Sequence, residues 1–234
     1  MFPYAVKQRP ESTTRFLHPR KLRGIGLILS IFALIWLIQN GRGGLRTVKN
    51  IALTDNLPPL ALSSGNPHIR ALMRTISASE ANDRNSYALL YGGSHIHDFR
   101  QHPDRCLPIK TKPNRGKCST AAGRYQFLTP TWLEKAAKYH PAPSRVNGRT
   151  NYSFEPKYQD IVVYQWLQDH HQWDIDILNL LKKDRIEEVL TSLSGVWTSL
   201  GGGLEDNSIT PHLPSLYRKF LAEELATVPK SSPK

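Results

Sequence analysis

The sequence predicts a mainly helical α+β domain with a small β element, preceded by an N-terminal membrane-anchor helix. Three observations lead there. Apolar residues recur at helical spacing in several segments, most of them opened by Asn or Pro. A short run of strand-like composition, YALLYGG (Tyr87 to Gly93), closes in a Gly-Gly turn. An uncharged stretch near the start follows a basic tail. The chain has 234 residues and 39% hydrophobic content, enough for one domain with a real core.

The first 23 residues carry Lys7, Arg9, Arg15, Arg20, Lys21 and Arg23 and are expected to form a cytoplasmic tail. Residues 24–40 contain GLILSIFALIWLI and read as a transmembrane anchor or uncleaved signal. The 16 residues from Gly24 to Gln39 would rise roughly 24 Å as a helix, slightly short of a ~30 Å hydrocarbon core; extension into Asn40 and Gly41, or thinning of the bilayer, closes the gap. A cleaved signal, giving a secreted protein, is the alternative, although no small-x-small site follows. Arg42, Arg46 and Lys49 on the far side weaken the orientation signal. Residues 41–65, rich in Gly, Pro and Ser, read as a linker.

The folded domain is expected over residues 66–228, with a polar tail at 229–234. Asn66 suits an N-cap and Pro67 the first helical position. Ile69, Leu72, Met73 and Ile76 then form one helix face. Further helices are expected at TPTWLEKAAKYH from Thr129, at FEPKYQDIVVYQWLQDHH with Pro156 near N1, and at DIDILNLLKK. Asp184 and Glu187 suggest a capping box opening RIEEVLTSLSGVW, and the last helix is SLYRKFLAEELATV. Cys106 and Cys118 stand close together in a loop rich in Pro, Lys and Gly; in an exported domain the pair reads as a disulfide, the alternative being two free thiols.

The net charge of +12 suits an anionic partner: nucleic acid, anionic lipid or an acidic polymer such as a bacterial cell wall. No zinc-finger spacing, homeodomain pattern or aromatic RNP motif is present, so nucleic acid is not expected. Asp98 lies beside His95 and His97, an arrangement that could bind metal, and the two cysteines have no nearby histidine pair at zinc spacing; neither metal nor cofactor is expected.

Glu80 is the residue that does not fit its surroundings. It falls at offset 11 of the Ile69 stripe, in register with the apolar face. A partly desolvated carboxyl has its pKa raised and can serve as a general acid near neutrality, as glycosidic cleavage requires. The plainer reading is a surface residue just past the helix end, or one paired with Arg84. A second stretch, STAAGRYQFLTPTW, places Arg124, Tyr125 and Gln126 after a glycine and before a helix. That mix of donors and an aromatic face suits sugar sites; its plainer reading is a solvated turn. Candidate second carboxylates are Asp83, Asp98, Asp104, Asp160 and Glu205, of which Asp160 reads as a first-turn helix acid. Trp166 and Trp197 read as core.

SASEAN, YALLYGG, HDFRQHP, STAAGRYQFL, FEPKYQD and LSGVWTSL occur in the order found in the lambda-endolysin-like lytic transglycosylase family, which the sequence resembles over roughly residues 68–222. The resemblance implies a lysozyme-like fold and cleavage of the peptidoglycan bond between N-acetylmuramic acid and N-acetylglucosamine, with formation of 1,6-anhydromuramic acid. It implies Glu80 as the catalytic acid and then base. It implies substrate-binding roles for Ser79, Tyr87, Ser119, Thr120, Arg124, Tyr125 and Gln126. The expected partner is the glycan strand, met by a monomer whose domain lies on the periplasmic face of the inner membrane. Two departures stand out. The family's Tyr-Asp is Tyr87-Ala88 here, and its Pro-Gly-Ala-Gly-Tyr-Gly-Gln is replaced by GGGLEDNSI. The second leaves room for a hydrolytic muramidase in which Glu205 or Asp206 orients a water. An inactive wall-binding scaffold is the reading from a different class.

Overall fold

The computed structural model describes residues 57–110, 114–202 and 207–227, all within one compact unit, Val48–Lys234. The anchor expected at residues 24–40 lies outside the described residues. Among the described residues no helix is long and apolar enough to cross a membrane.

The first helix, α1 (Pro67–Glu80), starts where Asn66 predicts: its side chain accepts from the His68 N–H at 2.9 Å, and Pro67 takes the first helical position. Ile69, Leu72, Met73 and Ile76 are fully buried, as the stripe requires. Against α1 lies the last helix, α6 (Leu213–Thr227). Glu224 of α6 accepts from Arg70 at 2.6 Å and Arg74 at 3.1 Å, and the Arg74 guanidinium sits 4.2 Å over the Phe220 ring. Between them come α2 (Thr129–Tyr139), α3 (Pro156–Gln168), α4 (Ile177–Lys182) and α5 (Ile186–Leu193). The proline-marked starts at Pro130 and Pro156 fall inside the first turns of α2 and α3. Phe127, Trp132 and Phe154 meet edge to face. Trp173 stacks on both Trp166 and Trp197, which are tilted against each other and buried, so Trp166 and Trp197 are core residues.

Among the described residues the β structure is two small antiparallel ladders: β1 (Leu107–Pro108) with β2 (Cys118–Ser119), and β3 (Ser144–Val146) with β4 (Arg149–Asn151). Cys106 and Cys118 are joined in a disulfide, their Cα atoms 5.3 Å apart.

Three expectations are corrected. YALLYGG is not a strand: Ser86–Ala88 form a 3₁₀ turn, and only Leu89 and Leu90 make single bridges, to His95 and Ala122. The burial of Tyr87, Ala88 and Leu90 explains the apolar composition without a ladder. The capping box at α5 is absent, because Asp184 adopts a left-handed conformation (φ 55°) and its carboxylate pairs with Arg218 of α6 at 2.9 Å. The end of the expected linker is folded. Leu60 joins the core, the Ala61 N–H donates to the Tyr87 hydroxyl at 2.8 Å, and the Leu62 N–H donates to Asp160 at 2.9 Å.

Candidate active site

Glu80 is the last residue of α1 and is half-buried. The helix stops there because the Ala81 N–H closes on the Ser77 carbonyl and the chain turns away. Asp83 braces that turn by accepting from the Asn85 N–H at 2.6 Å. Facing Glu80 is the 3₁₀ turn Thr198–Leu200, held by the buried Trp197 and Leu200. The Ser199 hydroxyl donates to Glu80 Oε1 at 2.5 Å. Ser79 Oγ lies 2.7 Å from Ser199 Oγ and 3.0 Å from its carbonyl oxygen. Thr210 donates to the same carbonyl at 2.8 Å, and Asn207 Nδ2 donates to the Ser79 carbonyl at 3.1 Å. Two distant segments thus fix one carboxylate through hydroxyls. Ser79 was expected at the site; Ser199 was not, and its only sequence signal is its place in the LSGVWTSL block.

The STAAGRYQ stretch is built differently. Gly123 has φ +75°, and a Cβ there would stand 2.3 Å from Gln159 Oε1 and 2.8 Å from the Phe154 ring, so glycine is required. The Arg124 N–H donates to that same Gln159 oxygen at 2.9 Å, and Gln159 Nε2 donates to the Phe154 and Tyr87 carbonyls. The Arg124 and Tyr125 side chains are fully buried and Tyr87 nearly so. Tyr125 donates to Asp160 Oδ1 at 2.6 Å and Tyr87 to Asp160 Oδ2 at 2.8 Å. Arg124 Nη1 reaches the Tyr87 hydroxyl at 3.1 Å and the Pro59 carbonyl at 2.9 Å.

Arg124, Tyr125 and Tyr87, read from sequence as substrate contacts, therefore have their side chains buried in the fold. The two phenols donate to a buried carboxylate instead, and Arg124 bonds the Tyr87 hydroxyl beside it. Asp160 is likewise not a solvated first-turn acid. Desolvation pushes its pKa up, against the Arg124 charge and the hydrogen bonds from Tyr125, Leu62 and Tyr87. Gln126 (φ 46°), Ser119 and Thr120 keep partial exposure. Gln126 Nε2 donates to the Leu89 and Gly123 carbonyls, Ser119 Oγ accepts from the Ala121 N–H, and Thr120 Oγ1 accepts from the Thr129 N–H.

The other described carboxylates weighed as second catalytic groups all have partners. Asp83 lies 3.0 Å from His95 Nε2. Asp98 is paired with Arg100 at 2.6 Å, whose hydrogen bonds lower its pKa to about 2. Asp104 accepts from Thr129 at 2.7 Å. Glu205 and Asp206 lie outside the described residues. Among the described residues no three His, Cys, Asp or Glu gather as metal ligands.

A family model for endolysins matches residues 70–223. The chain belongs to the endolysin family. Membership makes it a lysozyme-like, peptidoglycan-degrading glycosidase, and the matched span contains both the Glu80 cluster and the buried Asp160 network. Among solved structures, bacteriophage lambda lysozyme complexed with a chitohexasaccharide is similar in fold. The TM-score is 0.50 at 22% identity, covering 68% of this chain and 97% of the phage chain. Among curated proteins there is no match. Among the described residues the lysozyme-like fold, mostly helical with two small sheets, agrees with the domain class expected from the sequence, while the expected anchor helix lies outside them.

Proposed function

We propose that the chain is a peptidoglycan lytic transglycosylase with Glu80 as its one acid–base group. The protonated carboxyl gives its proton to the glycosidic oxygen as the bond from muramic C1 to that oxygen breaks. The N-acetylglucosamine 4-hydroxyl leaves. The muramic C6 hydroxyl then attacks C1, and its proton passes to the Glu80 carboxylate. A 1,6-anhydro end forms, no water is consumed, and the acid is regenerated. The observation that carries this reading is the Ser79–Ser199–Glu80 cluster, in which hydroxyls from two segments orient a half-buried carboxylate. It is supported by the partners already held by Asp83, Asp98, Asp104 and Asp160, since a paired-carboxylate mechanism needs a second free group. A glycan as substrate is supported by the oligosaccharide named for the phage lysozyme.

The hydrolytic alternative rests on one contact. Asn207 bonds the Ser79 carbonyl, so the chain returns to Glu80 directly after Glu205 and Asp206. In that reading Glu205 or Asp206, both outside the described residues, orients a water.

Glu80→Gln tests the role of Glu80. It preserves shape and removes the titrating proton, and we expect wall cleavage to be lost with wall binding retained. Cleavage unchanged in this variant would remove Glu80 from the mechanism. We further propose that residues 24–40 hold the domain at the periplasmic face of the inner membrane. Protease added to spheroplasts should then degrade the domain; protection inside the cell would contradict the topology.

A further inference from the structure

The turn that leads into α6 is tied to both halves of the Glu80 cluster. The Asn207 N–H donates to Thr210 Oγ1 at 2.9 Å, and Asn207 Oδ1 accepts from the Ile209 N–H at 3.0 Å and the Thr210 N–H at 3.2 Å. These local bonds lock residues 207–210 into one turn. Two bonds leave it. Asn207 Nδ2 donates to the Ser79 carbonyl at 3.1 Å, and Thr210 Oγ1 donates to the Ser199 carbonyl at 2.8 Å. Those are the two serines whose hydroxyls lead to Glu80. The turn is itself anchored: Ile209 is buried in the core, and Thr210 opens the 3₁₀ turn Thr210–His212 that runs into the buried Leu213 of α6. Asn207 lies in GGGLEDNSI, where the sequence departs from the family pattern, so the family resemblance does not point to this turn.

A hydroxyl has one proton to give and two lone pairs with which to receive. Thr210 Oγ1 also lies 3.2 Å from Asn207 Oδ1, but that oxygen already accepts two N–H groups and the Ser199 carbonyl is nearer, so the Thr210 proton goes to Ser199. Ser79 faces two acceptors on Ser199, the hydroxyl oxygen at 2.7 Å and the carbonyl oxygen at 3.0 Å. With Thr210 already on the carbonyl, the Ser79 proton is directed to the hydroxyl oxygen. The Ser199 hydroxyl then receives at a lone pair and gives its own proton to Glu80 Oε1. Each bond in such a chain polarises the next. Without the Thr210 hydroxyl, Ser79 turns to the carbonyl, and the Ser199 hydroxyl loses the donor behind it.

We infer that Thr210 is a positioning residue for Glu80 that acts through Ser199, with Asn207 holding its turn in place. The inference rests on the reading of Glu80 as the catalytic acid. Neither side chain has to meet the glycan for this. An acid set off its line to the glycosidic oxygen is a loss in the transition state and not in the grip on the strand. The effect therefore falls on kcat. A residue that only opened α6 would change stability, and a residue that held sugar would change KM.

The test is kcat and KM of the full-length chain on soluble, uncrosslinked glycan strands, expressed per folded molecule. Thr210→Val keeps the shape and removes the hydroxyl. Its kcat should fall about five-fold, the effect of one hydrogen bond, with KM unchanged. Thr210→Ser keeps the hydroxyl and should keep kcat. The deciding measurement is the combination with Ser199→Ala. Because Thr210 acts through Ser199, adding Thr210→Val to Ser199→Ala should lower kcat no further. Losses that multiply would overturn the inference. So would a fall in stability with kcat intact, or a raised KM with kcat kept. Asn207→Ala, at an exposed position, carries the same comparison if Thr210→Val does not fold: kcat should fall about two-fold, again with nothing added in the Ser199→Ala background. Glu80→Gln is measured alongside. Cleavage lost there, with Thr210→Val at the wild-type kcat, would overturn this inference alone. Cleavage retained by Glu80→Gln would overturn the reading beneath it as well.

Discussion

Glu80 and Asp160 are both carboxylates withdrawn from bulk water, and they are held in opposite ways. Asp160 is fully buried, and both its oxygens accept bonds: Oδ1 from Tyr125, Oδ2 from Tyr87 and the Leu62 N–H. Glu80 stands at a helix end, half-exposed, with Oε1 set by a serine that a second serine steadies. The first arrangement ties four stretches of chain together. The second holds a carboxylate at the surface, where a substrate can reach it. Exposure and partners thus separate an acid that builds the fold from the acid proposed to catalyse, and both come from one endolysin-family domain.

The largest expected effect lies on the working side. Glu80→Gln should lower wall cleavage by about a thousand-fold, within the range of general acid–base catalysis, with little change in melting temperature. Next comes the building side. Asp160→Ala leaves two phenols and the Leu62 N–H without their acceptor and the buried Arg124 without its nearby opposite charge, and should destabilise the fold by about 3–5 kcal/mol, read by denaturant unfolding. A thermal loss from Glu80→Gln as large as that from Asp160→Ala would break the distinction.

The titration of Asp160 sharpens it further. Its pKa is raised in the folded state, so the folded chain binds the proton more tightly than the unfolded one. Its contribution to stability is present below the ordinary carboxylate range and declines as pH rises through the raised value. The stability of wild type relative to Asp160→Asn should therefore fall as pH rises through that range, and a relative gain by wild type would show that Arg124 and the donors outweigh burial.

Smaller effects follow. Replacing Cys106 and Cys118 by serine opens the loop they close and should cost about 3 kcal/mol in the chain-entropy account, measured as a lowered denaturant midpoint. Ser199→Ala removes a hydrogen bond to a charged group, commonly ~1.5–3 kcal/mol. Turnover should fall about ten-fold or more, and Ser199→Thr should recover most of it. A merely structural role for Ser199 would instead lower stability and leave turnover per folded molecule alone.

What the sequence disclosed follows the range of the interactions. Helix starts set by Asn66, Pro130 and Pro156 are local, and they stand where the residues put them. The α1 stripe is local too, and it led to Glu80. The disulfide was legible because its cysteines are only 12 apart. Asp184 and Glu187 misled because Arg218, 34 residues further on, takes the Asp184 side chain. The Asp160 network was invisible because its partners lie 35, 73 and 98 residues away. Arg124 and Tyr125 look like sugar ligands by type. Only burial, a property of the whole fold, shows that they brace the site.

The most direct test of the account is mass spectrometry of the muropeptides that the full-length chain releases from purified sacculi. Products ending in 1,6-anhydromuramic acid are the result expected of a single acid that first gives and then recovers its proton. Reducing ends heavier by one water would contradict that mechanism and direct the search for a second carboxylate to Glu205 and Asp206.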